Sequence, residues 1–328
     1  MVDLDVVGIG NALVDVLSRE SEAFVTAQRL VKGAMQLVDE ARASELYAAM
    51  GPAVEVSGGS AANTIVGVAS FGGRAHYVGK VRDDQLGEVF QHDLRSVGVG
   101  YSTSAATSGP ATGRCLIVVT PDAQRTLTTY LGASVQLGPA DVDKGVIERA
   151  AILYLEGYLF DPPEAQRAFH AAAGVAHAAG RKVALTLSDP FCVDRHRAAF
   201  RDLVERHVDI LFANEVEIRA LYEAADFDAA LQQVRRHCAV AALTRSERGS
   251  VVVAGDDVHV IDAHPVGAVV DTTGAGDLYA AGFMFGLSRG RSLATCGRLG
   301  SLAAAEVISH VGARPQTPLA QLAGALPA

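Results

Sequence analysis

The sequence predicts an α/β protein with a doubly wound, mostly parallel sheet, helices on both faces and a small β-rich lid. Apolar runs alternate regularly with helical patterns through the second half of the chain. Strands that are buried on both faces read as continuous apolar runs, and a helix between two of them makes a parallel crossover. With 328 residues, of which 49% are hydrophobic and 20% charged, the chain can bury such a core as a single domain over 1–328.

The predicted elements follow one another in the order that this fold requires. The first strand is "DVVGIG" (5–10), and the helices 60–72 and 84–98 belong to the same sheet. Later strands are expected at 151–160, 182–189, 208–214, 240–245 and 250–255. The helices between the earlier ones are expected at 163–180, 193–207 and 227–238.

Two stretches break this alternation and predict the lid. After the first strand the chain makes an excursion to about Leu37, and 111–131 reads as two β-rich runs around the turn "TPDAQ", which is a hairpin pattern. We expect the lid to be formed from about 11–50 and 101–131 and to cover the carboxyl ends of the strands, where ligands bind. The run "CLIVV" (115–119) is apolar on both alternating faces, so it packs on the core or on a second subunit; monomer and homodimer both stay open.

The composition excludes several classes of protein. A formal net charge of -9 gives no basic field for nucleic acid or an anionic membrane, and no apolar stretch is long enough to span a bilayer. The start of the sequence has no basic segment and no cleavage pattern, so we expect a cytoplasmic protein. Four scattered cysteines and ten histidines without ligand spacing argue against disulfides and a zinc site.

The segment "DTTGAGD" (271–277) predicts a reaction centre. We expect a strand to end near Val270 and a helix to start near Ala275. The backbone N–H groups of 274–276 would then face an anion at the positive end of that helix. Asp277, one step further, could accept the proton of a nucleophile that attacks a phosphate. The same residues would also make an ordinary helix start with Asp277 favourably placed on the dipole.

Three further motifs accompany this segment. A glycine pair and Asn63 stand at a helix entry within the glycine-rich stretch 58–87, "GNALVD" (10–15) follows the first strand, and "NEVE" (214–217) follows another. Together with "DTTGAGD", and in this order along the chain, they resemble the ribokinase/PfkB family of carbohydrate and nucleoside kinases. The resemblance covers nearly the whole chain and implies a ribokinase-like fold.

The resemblance implies roles in phosphoryl transfer. Asp277 would be the catalytic base. Asn214 and Glu217 would organise Mg²⁺ near ATP, partly through water, which suits an ion that keeps several waters. Without the resemblance, Glu217 would read as an exposed acid in the first turn of a helix over 215–224. The anion hole would consist of Gly274, Ala275 and Gly276.

The resemblance also implies a substrate pocket. Asp15 would bind the vicinal hydroxyls of a ribose, because one carboxylate can accept from two adjacent hydroxyls. Gln36, in "MQLV", would contact a base at its edge. An apolar slot for that base would be formed by Leu131, Tyr158 and Leu159. The other substrate-binding residues would be Asn11, Gly58, Gly59 and Asn63.

The nucleotide side is marked by "TRSERGSV" (244–251), which matches the family's ATP-side loop. Thr244 and Gly249 would contact ATP there, although Ser246 stands where glycine is usual in the family. A potassium site in many relatives corresponds to Asp271 and Thr273.

The lid sequence 112–134 and "EGYLF" (156–160) look most like adenosine kinases, in which a lid arginine clamps the transferred phosphate. Arg125 matches that arginine, although it equally fits a solvated turn residue. We therefore expect an ATP-dependent, Mg²⁺-requiring kinase for the primary hydroxyl of a nucleoside, adenosine above all. A sugar kinase for ribose, fructose or a ketodeoxy acid is the alternative. A non-catalytic sensor of the same fold is disfavoured, because a binding module has no need of a base such as Asp277.

Overall fold

Two sheets organise the chain. The computed structural model describes residues 2–122 and 124–324. Its strands are β1 (Leu4–Ile9), β2 (Leu13–Arg19), β3 (Met35–Leu37), β4 (Ala53–Gly58), β5 (Ala75–Val78), β6 (Gly100–Tyr101), β7 (Gly113–Val119), β8 (Arg125–Tyr130), β9 (Ala150–Glu156), β10 (Lys182–Thr186), β11 (Ile210–Asn214), β12 (Val240–Thr244), β13 (Ser250–Ala254) and β14 (Asp257–Ile261). Its helices are α1 (Glu22–Ala27), α2 (Glu40–Ala49), α3 (Ser60–Ser70), α4 (Gln85–Ser96), α5 (Lys144–Arg149), α6 (Pro163–Ala178), α7 (Pro190–His207), α8 (Glu215–Tyr222), α9 (Phe227–His237), α10 (Ala275–Ser288), α11 (Leu293–Ile308) and α12 (Leu319–Ala323). Within the described residues, none of these helices combines the length and apolar character that crossing a membrane requires.

The larger sheet has nine strands in the order β14-β13-β12-β11-β10-β9-β1-β5-β6. Every pair from β12 to β6 is parallel, and β13 and β14 extend one edge in antiparallel fashion. Alternate residues of a strand face opposite sides, so Val6 packs in the cluster that contains α3, α10 and α11, whereas Val7 packs in the cluster that contains α6 to α9. Helices therefore cover both faces, which confirms the predicted doubly wound core.

Two predicted boundaries in this core were wrong, and one strand whose direction the sequence left open is antiparallel. The run "PVGAVV" (265–270) forms no strand, and Val269 and Val270 are 60% and 44% exposed, because no strand lies beside them to complete a ladder. The predicted strand 151–160 ends at Glu156 and continues as a 3₁₀ helix over 157–160. β13 runs antiparallel to β12 since the connection between them is too short for a crossover.

The smaller sheet is the predicted lid, with five strands in the order β3-β8-β7-β2-β4. The predicted hairpin is present as the antiparallel pair β7 and β8, in which Val119 lies opposite Arg125. Two details differ from the prediction. β4 lies beyond the first predicted lid segment and pairs with β2, and β6, within the second, belongs to the larger sheet.

Candidate active site

A large cavity lies between the lid and the carboxyl ends of β1, β9, β10, β11 and β12, and its volume is about 1270 Å³. This exceeds the volume that one drug-sized ligand commonly occupies, so two small molecules can bind side by side. The predicted site residues that line it are Asn11, Asp15, Gly59, Asn63, Asn214, Glu217, Thr244, Gly249, Thr273, Gly274, Ala275, Gly276 and Asp277. The predicted site residues that do not line it are Gln36, Gly58, Arg125 and Asp271.

Asp277 lies in the first turn of α10, at the centre of this cavity wall. Its Oδ1 accepts a hydrogen bond from Ser60 Oγ at 2.6 Å, and its Oδ2 accepts one from Asn63 Nδ2 at 3.2 Å. Burial raises the pKa of Asp277 to about 6, while Ser60, Asn63 and the charge of Arg314 oppose that rise. The carboxylate is therefore fixed in direction and can exchange a proton close to neutral pH.

The backbone before Asp277 is shaped for an anion. α10 begins at Ala275, as predicted, and the residue before it, Gly274, has a left-handed φ of 80° that favours glycine. A Cβ on Gly276 would meet no atom within 4 Å, so the space in front of this turn is open. Ala275 N donates to the Thr272 carbonyl at 3.3 Å, whereas the N–H groups of Gly276 and Asp277 have no acceptor within the helix and are available to a negatively charged group in the cavity.

Asp15, on the lid strand β2, points into the same cavity from the opposite side. Its carboxylate makes no hydrogen bond to any residue that the structure describes, and burial raises its pKa to about 6. The charges of Arg314 and Arg125 lower that pKa, and the charge of Asp277 raises it. Gly58 lies behind Asp15 without reaching the cavity, and a Cβ there would come within 2.3 Å of the carboxyl carbon. Gly58 thus makes room for Asp15, which leaves both oxygens free for a ligand.

Asn11 is held by a residue that the sequence analysis missed. Glu156, at the end of β9 and 1% exposed, accepts from Asn11 N at 3.2 Å, Asn11 Nδ2 at 2.8 Å and Ala61 N at 2.8 Å. Burial raises the pKa of Glu156 to about 7. Asn11 Oδ1 in turn accepts from Ser134 Oγ at 2.8 Å. Glu156 opens the motif "EGYLF" that contributed to the resemblance, but the motif was given no role and does not reveal these partners.

Asn214 and Glu217 form a reciprocal cap at the start of α8. Asn214 Oδ1 accepts from the backbone N of Val216 and of Glu217, both at 2.9 Å, while Glu217 accepts from Asn214 N at 2.9 Å and Nδ2 at 2.6 Å. Glu217 is 6% exposed, so reading it as an exposed acid was wrong. Burial raises its pKa to about 7, and the neighbouring charges that raise it further are Asp189 and Asp277.

This environment fits a divalent cation. The described residues contain no cluster of three or more acidic, His or Cys side chains that could hold a metal ion directly, so an ion here would be bound mainly through water. Glu217 borders the cavity, and no basic side chain among the described residues contributes to its pKa. Mg²⁺ is commonly bound through one or two carboxylates with most of its shell left to water and phosphate. A carboxylate whose buried charge has no positive partner, in a cavity with room for water, meets that requirement.

The ATP-side loop lies at the far end of the cavity, after β12. Thr244 and Gly249 both line it, as predicted. Gly249 has a φ of 75°, and a Cβ there would lie 2.0 Å from the carbonyl oxygen of Ile261. Ser246, where the family usually has glycine, adopts a left-handed φ of 54° and still lines the cavity. The serine therefore keeps the backbone that glycine favours, at some conformational cost.

Contrary to the prediction, Arg125 does not reach into the cavity, because its guanidinium pairs with Asp271. The pair joins the start of β8 in the lid to "DTTGAGD", and its side chains are 9% and 6% exposed. Asp271 also accepts from Thr273 N at 3.0 Å, Thr273 Oγ at 2.7 Å and Gly312 N at 2.9 Å. Each carboxylate oxygen thus holds two donors, so the residues of the predicted potassium site do not fit a cation in this arrangement.

The apolar part of the cavity differs from the predicted slot. Leu131 and Tyr158 line it, but Leu159 is 0% exposed and packs in the core below the larger sheet. Gln36 does not line the cavity, whereas its neighbours Met35 and Leu37 do, because successive residues of β3 face opposite sides. Further apolar lining comes from Leu13, Cys115, Ile117, Leu127 and Phe191.

The known proteins that this chain is similar to include kinases in every comparison. The sequence pattern of the pfkB family carbohydrate kinases matches residues 35–320. The crystal structure of adenosine kinase from Sinorhizobium meliloti is 53% identical, with a TM-score of 0.90 and 98% of each chain covered. A probable sugar kinase protein from Rhizobium etli CFN 42 is 49% identical, with a TM-score of 0.92 and coverage of 99% of this chain and 98% of its own. Adenosine kinase of Saccharomyces cerevisiae is 29% identical over 93% of this chain and 94% of its own.

Proposed function

Because the chain belongs to the pfkB family of carbohydrate kinases and is a kinase, we propose that it phosphorylates the primary hydroxyl of a nucleoside, adenosine above all, with ATP as donor. The observation that carries this proposal is the composition of the acceptor end of the cavity. There, Asp15, whose carboxylate has no hydrogen-bond partner among the described residues, lies beside an apolar wall contributed by the lid. A diol-binding acid next to an apolar surface suits a sugar joined to a flat base.

The apolar wall is the feature that a free sugar would leave unused. Met35, Leu37, Cys115, Ile117 and Leu127 come from three lid strands and face the cavity. Tyr158 and Phe191 line it as well, and 38% and 71% of their surface is exposed. Burying a purine against aliphatic and aromatic side chains stabilises a complex by a few kcal/mol. Sugar hydroxyls placed against the same wall would lose hydrogen bonds to water.

The catalytic end of the cavity provides a base and an anion site. Asp277 would take the proton of the attacking hydroxyl as the oxygen forms its bond to the γ-phosphorus and the bond to the β-γ bridging oxygen breaks. The N–H groups at the start of α10 would bind the oxygens on which charge develops. Glu217 and Asn214 would hold Mg²⁺ through water, and that ion would neutralise part of the charge on the phosphates. Thr244 and Gly249 would line the ATP side.

The relatives favour the same choice of substrate. The protein from Sinorhizobium meliloti, which shares 53% of the residues, is an adenosine kinase. The Rhizobium etli relative, at 49%, is described as a probable sugar kinase, which keeps phosphorylation of a free sugar as the second candidate. The apolar lid wall argues against that candidate, because a monosaccharide does not require it.

The test is a comparison of acceptors in a coupled assay of ATP consumption. We expect kcat/KM for adenosine to exceed that for ribose or fructose by at least about a hundredfold, as the burial of a base implies. 2′-Deoxyadenosine should lose much of that advantage, because one oxygen of Asp15 then lacks its partner. If ribose or fructose equals adenosine, the nucleoside assignment fails and the sugar kinase replaces it.

A matched pair of lid variants tests the wall itself. Leu37→Ala removes an apolar side chain that lines the cavity, and Val54→Ala removes one that is 64% exposed on the edge strand β4 outside it. Leu37→Ala should lower kcat/KM for adenosine by about tenfold with little effect on ribose, and Val54→Ala should change neither. Equal effects of Leu37→Ala on both acceptors would show that the wall does not contact a base.

A further inference from the structure

Arg314 reaches the back of the proposed active site from the segment that follows α11. No motif in the sequence pointed to this residue. Its Nε donates to Asn63 Oδ1 at 2.8 Å, and its Nη2 donates to Ser57 Oγ at 2.9 Å and to the Ser57 carbonyl. Ser57 is fully buried near the end of the lid strand β4, and Asn63 lies in the first turns of α3. One guanidinium thus joins the C-terminal segment, the lid and the helix that carries Asn63.

These bonds fix which way the Asn63 amide faces. A guanidinium can only donate and an ionised carboxylate can only accept. Asn63 lies between the two, so its oxygen must face Arg314 and its nitrogen must face Asp277. The second N–H of that nitrogen remains, and Asn63 lines the cavity, so the amide can present a donor to a ligand there. Without Arg314, the amide would be free to turn over and present its oxygen to Asp277.

Arg314 also supplies positive charge where carboxylates gather. Asp277 interacts electrostatically with the carboxylates of Asp15, Glu156 and Glu217. Tyr154 also lies near Asp277. Among the described residues, Arg314 is the cation whose charge lowers the pKa of Asp277, and its effect on the pKa of Asp15 is larger than that of Arg125. Burial lowers the pKa of Arg314 itself. Asp93, on α4, faces the guanidinium from the other side and accepts from Ser57 N at 2.9 Å.

We infer that Arg314 is a positioning residue of the phosphoryl transfer, which orients Asn63 toward Asp277 and balances the negative charge around it. It acts on the reacting atoms only through Asn63 and through its charge. The inference rests on the proposed function, because it takes Asp277 as the base.

The test is the pH dependence of kcat in two variants. Arg314→Met keeps the unbranched stem of the side chain and removes the guanidinium with its charge and donors. The acidic limb of kcat should move up by about one pH unit, and kcat on the plateau should fall by about tenfold, since both the charge and the orientation of Asn63 are lost. Arg289→Met is the matched control. Arg289 pairs with Asp5, with 3.0 Å between Nη2 and Oδ2, and this pair lies away from the cavity. Arg289→Met should leave both the limb and the plateau unchanged.

Arg314→Lys separates charge from orientation and is the second measurement if Arg314→Met does not fold. The acidic limb of kcat in Arg314→Lys should stay near that of the natural chain, because the charge is kept. The plateau value of kcat should fall several-fold, because one ammonium group cannot donate to Asn63 and Ser57 in the way that the guanidinium does. A limb and plateau equal to those of the natural chain in either variant would overturn the inference. Full turnover in Asp277→Asn would instead overturn the proposed function, whatever the Arg314 variants do.

Discussion

Replacing Asp277 with asparagine should remove turnover while the fold remains intact. The new amide can keep both neighbours, because its oxygen can accept from Asn63 Nδ2 and its nitrogen can donate to Ser60 Oγ, a hydroxyl that also accepts. The amide has no basic oxygen for the proton of the attacking hydroxyl. We expect kcat to fall by roughly 10²–10⁴, which corresponds to about 3–5 kcal/mol in the barrier.

The same variant should be more stable than the natural chain at neutral pH. The pKa of Asp277 is about 6 in the folded protein, against an ordinary value of 3.8. The folded state therefore binds more protons than the unfolded state between these values, and stability falls as the pH rises through that window. Above it, the ionised carboxylate destabilises the fold by up to about 3 kcal/mol. Asparagine removes that cost, so Tm should rise by a few degrees at pH 7.5, and the difference should shrink toward pH 5.

Two assays in parallel check this prediction. A coupled assay of ATP consumption with adenosine measures kcat, and thermal denaturation at a series of pH values measures stability. Substrate affinity should change little, because the variant keeps the shape of the wall. Turnover within a few-fold of the natural chain would show that Asp277 only starts a helix. A Tm difference that does not depend on pH would show that the carboxylate is not desolvated in the folded state.

Two further predictions concern charges at the edge of the site. Because Arg125 already fills the partner position of Asp271, the natural chain should work equally well in potassium and choline chloride, within about twofold. Arg125→Ala leaves Asp271 without its cationic partner, so it should lower kcat by loosening the segment 271–277 that carries Asp277, and it should make the rate rise with potassium. A lack of any potassium effect in the variant would contradict the role given to the pair. Glu217→Gln keeps one of the two hydrogen bonds from Asn214, because an amide has a single acceptor oxygen, and it removes the charge. The Mg²⁺ concentration for half-maximal rate should therefore rise by about tenfold or more. An unchanged Mg²⁺ titration would take Glu217 out of the metal site.

The periodicity of the sequence was sufficient for the fold, because buried strands and amphipathic helices leave patterns within a few residues of one another. The active-site loop was also predictable, since Gly274 and Asp277 act through local backbone geometry at a helix start. The apolar run 265–270 led to a wrong strand prediction, because strand formation depends on residues outside the run. A strand needs a neighbouring strand, and nothing within those six residues tells whether one is present.

Within the site, the direction of individual side chains could not be predicted from the sequence. Tyr158 and Leu159 are adjacent and similarly apolar, yet in the 3₁₀ helix one lines the cavity and the other lies in the core. Gln36 was expected to meet a base, but the three residues of β3 alternate and place it on the other face. Glu156 and Arg314 were missed because their roles depend on partners 95 and 251 residues away. No local pattern contains that information.

The two arginines that affect the acceptor site both come from outside its motifs. Arg125 arrives from the lid and Arg314 from the C-terminal segment, and the charges of both lower the pKa of Asp15. Asp15 stays ionised at neutral pH, and so able to accept from two hydroxyls, more readily when both segments are in place. Through Asn63, Arg314 acts on Asp277 as well. The acid proposed to bind the acceptor and the acid proposed to activate it are thus both influenced by one guanidinium, so the proposal predicts that substrate binding and proton transfer are sensitive to the same side chain.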